Sequence, residues 1–175
     1  MLKKLERLSG EVLEKNPFWQ YKQDTYRLPN GEVRDYYFVA TNGSVFIIAK
    51  TNDGQIILLN QFRYLNQRES LEFPGGGLGD GADTLVQAKR ELQEEAGLEA
   101  ASWSYLGGFN PMNGVTNEIC HVFLATNLHE ISASPEATEE FEKMIFTENE
   151  IDALIASNKI WDGMTLAAWA LYKSA

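Results

Sequence analysis

The chain has 175 residues, 44% hydrophobic and 11% aromatic, which fits one globular domain with a self-sufficient core and is far from a disordered composition. Its 25 acidic residues against 15 basic ones give a formal net charge of −10, a balance that repels phosphate backbones and excludes general DNA or RNA binding. One cysteine, Cys120, no charged-then-apolar leader, and apolar runs, such as VFIIA at 45–49, far too short to cross a bilayer give the expectation of a cytoplasmic protein with neither disulfides nor membrane spans.

Residues 1–17, MLKKLERLSGEVLEKNP, mix charges with interspersed leucines and read as either a short amphipathic helix or a frayed arm. From residue 18 aromatic and β-branched runs take over. QDTYRL and VRDYYFVA flank the turn PNG at 29–31, which predicts a hairpin; SVFIIAK and QIILLNQFRY flank NDG at 52–54, which predicts a second, buried one. LEFPGGGLGDGAD, with five glycines at 75–81, then interrupts the strand pattern.

A helix follows, with Asp83 as N-cap and Gly97 as C-terminal stop. Leu85, Ala88, Leu92 and Ala96 fall in one arc at 3.6 residues per turn and mark its packing face. SWSYLGGF and EICHVFLATNL read as strands, with His121 taken as a packed residue inside the second. PEATEEFEKMIF reads as an acidic loop leading into another strand. TENE at 147–150 fits a capping box, and DGMTLAAWALYKS a closing helix. The order of elements predicts an α/β or α+β domain.

Glu91, Glu94 and Glu95 lie at helical spacings of three and four, so like charges crowd one side of the helix. A solvated face would gain by mixing signs. Two readings therefore stand: an ordinary acidic helix face, or a site for a hard divalent cation that takes oxygen ligands. The glycine-rich stretch directly before the helix, which lets backbone approach a ligand closely, favours the second.

Residues 76–98, GGLGDGADTLVQAKRELQEEAGL, resemble the box of the Nudix hydrolases, G-x5-E-x7-R-E-U-x-E-E-x-G-U with U aliphatic. Gly76, Arg90, Glu91, Leu92, Glu94, Glu95, Gly97 and Leu98 match in register; Ala82 stands where the pattern has its first glutamate, with Asp83 beside it. NQFRY at 60–64, LEFPGG at 71–76 and the later NPMNGVTNEICHVFLATNL are similar to the ADP-ribose pyrophosphatase branch, in which a proline follows the box, as Pro111 does here.

The resemblance implies an α/β/α sandwich with a mixed sheet, residues 41–175, preceded by an N-terminal arm and antiparallel strand region at 1–40. It implies hydrolysis of a small nucleoside diphosphate-linked substrate, ADP-ribose foremost, by a homodimer. The cofactor implied is Mg2+, with Mn2+ as the substitute, held by Glu91, Glu94, Glu95 and a backbone carbonyl in the Gly75–Gly77 stretch, taken as that of Gly76. Arg90 is implied as a brace for these carboxylates, placed on the far side of the helix from the cluster.

The catalytic base is implied to lie in the acidic loop, with Glu139 as the match and Glu140 and Glu142 as competitors. Arg63 is a candidate partner for the diphosphate or terminal ribose, and Glu72 for metal or substrate. Trp19, with Phe18 and Tyr21, is a candidate to stack the base across a dimer interface. A binding module without efficient turnover is the alternative that Ala82 keeps open.

Overall fold

The computed structural model describes residues 3–132 and 140–175. Among these residues, ten strands and three helices follow in chain order: β1 (Glu6–Lys15), β2 (Gln20–Arg27), β3 (Val33–Ala40), β4 (Ser44–Lys50), β5 (Ile56–Arg63), β6 (Arg68–Glu72), β7 (Gly75–Gly77), α1 (Thr84–Ala96), β8 (Leu98–Phe109), β9 (Cys120–Glu130), β10 (Glu142–Phe146), α2 (Glu148–Ala156) and α3 (Gly163–Lys173).

The first three strands form an antiparallel sheet of their own, in the order β1-β2-β3. The N-terminal segment is thus a strand, neither a helix nor a frayed arm. Its partner is what decides this: β1 ladders onto β2 from Glu6↔Arg27 to Lys15↔Gln20, and cross-strand ion pairs join Arg7 to Asp24 at 2.7 Å and Arg27 to Glu6 at 3.1 Å. Two register shifts, one around Leu8 and one around Leu13, blur the two-residue alternation that would announce a strand.

The main sheet is mixed, in the order β10-β5-β4-β9-β8, with β6 on β5 and β7 on β4. Strand β4 is its centre, parallel to β9 and antiparallel to β5 and β7. Alternate β4 side chains feed two cores, as a strand buried on both faces must. Val45, Ile47 and Ala49 meet Ala88, Leu92 and Ala96 of α1; Phe46 and Ile48 meet Ile151, Ile160 and Trp169 on the α2/α3 side.

The helix-sheet-helix sandwich follows directly from that alternation. The predicted caps are in place: Asp83 accepts from the Val86 amide, Gly97 adopts a left-handed φ of 64°, and Thr147 with Glu150 closes a capping box. The glycine segment does not simply interrupt the strands. Gly75 to Gly77 pair with Phe46 to Ser44, and Arg68 to Glu72 pair with Arg63 to Leu59.

Both short strands wedge into a fork. Only Ala49 and Lys50 of β4 pair with β5 before the two strands part, and β6 and β7 enter the gap. The chain between them is pinned where the Pro74 carbonyl accepts from the Ile47 amide at 2.8 Å.

Candidate active site

The fork delivers the glycine strand to the flank of α1. Glu95 Oε2 accepts the Gly75 amide at 2.9 Å, and a Cβ placed on Gly76 would meet Glu91, 2.7 Å from its Cδ. Glycine is required at 76 for that close approach, not for its φ. Glu91 also accepts from the Gln87 amide group at 2.6 Å.

Arg90 is not on the far side of the helix. Its Nε reaches both oxygens of Glu94, at 2.9 and 3.0 Å, the i,i+4 neighbour one turn on. Such an exposed helical pair is worth only about 0.3–0.5 kcal/mol, enough to orient Glu94 without committing it.

Gly76, Glu91 and Glu95 therefore converge on one edge of α1 with Glu94 adjacent. All their donors are oxygen, the chemistry that a hard divalent cation prefers. Among the described residues no three His, Cys, Asp or Glu side chains are drawn together closely enough to form a metal ligand set by themselves. The carboxylates are held instead by Gly75, Gln87 and Arg90. Ala82 carries no carboxyl group; its amide closes a turn onto the Gly79 carbonyl at 3.2 Å.

Arg63 and Glu72 are brought together on the β5–β6 hairpin. Arg63 Nε donates to Glu72 Oε1 at 2.7 Å, its Nη2 pairs with Oε2, and the Glu72 side chain is 2% exposed against 47% for Arg63. Glu72 thus has a counter-ion of its own, and removing the arginine would strand a buried carboxylate at a cost of about 3–5 kcal/mol. The Glu72 contact holds the Arg63 guanidinium in its charged form, with Asp162 and Glu95 adding to its field. One face of Arg63 is locked; the other is open.

Glu139 lies outside the described residues. Glu142 pairs with Asn60 in the β10–β5 ladder and lies 3.4 Å from its amide nitrogen. Asn60 is two residues from Leu58 and shares its face, the α2/α3 side. Glu142 therefore lies on the face of the sheet away from α1. Glu140 is exposed just before β10.

Trp19 sits at the β1–β2 turn, 41% exposed, with its backbone tied to Asn16. Phe18 is more exposed still, and Tyr21 stacks on Tyr37 at 6.2 Å. Pro111 opens the turn between β8 and β9. That turn is stitched to the arm: Val39 donates to the Val115 carbonyl at 2.9 Å, and the Tyr36 hydroxyl to the Gly114 carbonyl at 2.8 Å.

Tyr36 and Phe38 line a cleft there with Asn113, Val115, Thr116 and Asn117. These two aromatics were not singled out by sequence reasoning, although their place on alternate residues of YYF assigned them to a common face. His121 is half-buried, not fully packed, and lies 3.1 Å from the Tyr105 hydroxyl.

No described helix is long and apolar enough to cross a membrane. The family model for the NUDIX domain matches residues 40–167. An ADP-ribose pyrophosphatase of Bacillus subtilis (strain 168) is 33% identical over 91% of this chain and 84% of its own length. A methanol dehydrogenase activator of Bacillus methanolicus is 33% identical over 83% of this chain and 80% of its own length. Among solved structures, an ADP compounds hydrolase superposes with a TM-score of 0.86 at 20% identity, covering 99% of this chain and 95% of that one, a likeness of fold. With its box in register on α1 and the glycine strand against it, the chain belongs to the Nudix family and is a pyrophosphohydrolase of that family.

Proposed function

We propose that the enzyme hydrolyses the pyrophosphate bond of nucleoside diphosphate sugars, with ADP-ribose cleaved to AMP and ribose 5-phosphate as the preferred reaction. The observation that carries this is the joint at Gly75–Gly76, where Glu95 accepts the Gly75 amide and Gly76 lies directly against the Glu91 carboxylate. The names of two relatives, ADP-ribose pyrophosphatases from Bacillus subtilis and Mycobacterium tuberculosis, support the substrate.

Glu91, Glu94 and Glu95, with the Gly76 carbonyl, are the residues to hold Mg2+, for which Mn2+ would substitute. When bound, such an ion spreads the charge that develops on the diphosphate oxygens and lowers the pKa of a bound water. Arg90 braces Glu94. Glu139 is the residue to accept the proton of the attacking water, and Glu140 a competitor. Arg63, fixed by Glu72, presents its open face to the diphosphate or terminal ribose. Trp19 offers an exposed ring for base stacking, and Pro111 shapes the loop that closes the arm-side cleft.

The N-terminal β1-β2-β3 sheet supports a homodimer. Every residue of β1 is exposed, and Leu8, Val12, Leu13, Tyr21 and Tyr37 leave the three-stranded sheet without an apolar core of its own. Such a sheet needs cover to be stable, and a second copy of the chain supplies it. Light scattering should give twice 19.7 kDa. A reducing, cytoplasmic setting suits the lone buried thiol of Cys120.

Substrate choice is tested by a phosphate-release screen coupled to alkaline phosphatase, run over nucleoside diphosphate sugars, dinucleoside polyphosphates and nucleoside triphosphates. The expected result is a kcat/KM for ADP-ribose well above that of any triphosphate, because base and sugar flank the diphosphate and a triphosphate fills only one end. A triphosphate or diadenosine polyphosphate cleaved as efficiently as every diphosphate sugar would overturn the substrate assignment.

A further inference from the structure

Arg63 and Arg68 face each other directly across the β5–β6 ladder. Like charges at directly opposed positions of an antiparallel pair repel. Both also stand four residues along a strand from the Leu59↔Glu72 rung, so both are spaced to compete for the same buried carboxylate. Only Arg63 has it.

Arg68 is drawn off by Trp161, in the loop between α2 and α3. Its guanidinium carbon lies 3.7 Å from the centroid of the Trp161 ring, the stacked geometry of a cation–π contact. Trp161 in turn is fixed to the hairpin, because its Nε1–H donates to the Glu69 carbonyl at 3.0 Å. On either side, Ile160 is buried in the α2/α3 core and Asp162 caps α3 through the Thr165 amide at 2.7 Å and hydroxyl at 2.8 Å. The ring is therefore anchored from three directions.

We infer that Trp161 is a positioning residue: by holding Arg68 on its ring it reserves Glu72 for Arg63, and so keeps the open face of Arg63 aimed at the substrate's diphosphate. The inference rests on the role of Arg63 proposed above. Without the ring, Arg68 contends for Glu72 and Arg63 samples poses that do not bind.

The test is a cycle of Trp161→Leu, Arg68→Gln and the double variant in the full chain. Steady-state kinetics on ADP-ribose are read alongside hydrogen exchange of the 15N-labelled Arg63 Nε–H, with a thermal melt to confirm folding. Trp161→Leu is expected to raise KM by about fivefold or more with kcat within about twofold, a loss of binding rather than of chemistry. The same variant should speed exchange of the Arg63 Nε–H. Arg68→Gln alone should be near wild type in both readouts.

The double variant should return both towards wild type, because the competitor is gone. Tryptophan acting only as packing predicts no such rescue. An impaired double variant, or an unaffected Trp161→Leu, overturns the proposal. If Trp161→Leu does not fold, Trp161→Phe has a weaker cation-binding face and should move both readouts the same way by a smaller amount that Arg68→Gln reverses; no movement overturns the proposal. Should wild type cleave no diphosphate sugar, the substrate reading fails, while the exchange readout still decides the role of Trp161.

Discussion

Gly76 and Glu91 are in contact so close that no side chain fits between them: a Cβ on the glycine would fall 2.7 Å from the glutamate's Cδ. The obstacle is the end of a flexible side chain, so Gly76→Ala should fold and push the Glu91 carboxylate aside. A displacement of about 1 Å at a catalytic centre costs on the order of 100-fold. The expected outcome is that loss in kcat/KM with an unchanged melting temperature, and an unimpaired alanine variant would remove Glu91 from the site.

Glu94→Gln and Glu95→Gln each remove one negative charge at constant shape. Both should retain the far-ultraviolet circular dichroism of wild type, lose Mn2+ affinity by calorimetry, and lose turnover by about 100-fold or more. Turnover within a few fold of wild type in saturating Mg2+, for both, would sink the metal assignment.

Glu142, the first residue of β10, and Glu139, three positions earlier in the sequence, should behave oppositely. Glu142→Gln, on the face of the sheet away from α1, should leave kcat within about threefold, whereas Glu139→Gln should lower it by about 100-fold if that side chain is the base. Assays of both variants across pH 6–9 would separate them. A large loss in Glu142→Gln alone would contradict the register of β10.

Glu148 joins α2 to α3 and β4: it accepts from the Tyr172 hydroxyl at 2.7 Å, Lys50 at 3.2 Å and Lys173 at 3.3 Å. The Tyr172 hydrogen bond, helped by the two lysines, holds its carboxyl below the usual glutamate range. A depressed folded pKa gives stability that is present above the unfolded value, about 4.3, and lost as pH falls through the folded one. Glu148→Gln should therefore cost stability at pH 7, and the gap in urea midpoint between it and wild type should narrow as pH drops below about 4.3. A gap that stays constant with pH would assign the effect to packing alone.

The helix of the box was legible because its signals are local. Asp83, Gly97 and the arc of Ala88, Leu92 and Ala96 each act within a few residues of the backbone they control. The arm was illegible for the converse reason: what makes Glu6–Lys15 a strand is its ladder to β2, and its two bulges erase the periodicity a reader would look for.

The facing of Glu142 was not legible, because nearness to Glu139 in sequence says nothing of facing, which the pairing with Asn60 decides. Arg90 is a smaller case of the same kind. A wheel places it away from Glu91 but one turn below Glu94, and side-chain reach settles the contact. Trp161 had no signal at all, since its ring meets Arg68 from 93 positions away along the chain.

The parallel ladder between β4 and β9, Ser44↔Cys120 through Ala49↔Ala125, also governs the order in which the protein can be made. These partners lie about 75 residues apart, and a parallel pairing cannot close until its later strand has left the ribosome. Until then β4, the apolar run VFIIA, is a long unpaired edge of the kind that recruits other chains. Nascent chains arrested before Cys120 should accordingly depend on a holding chaperone, while those released beyond Glu130 should not.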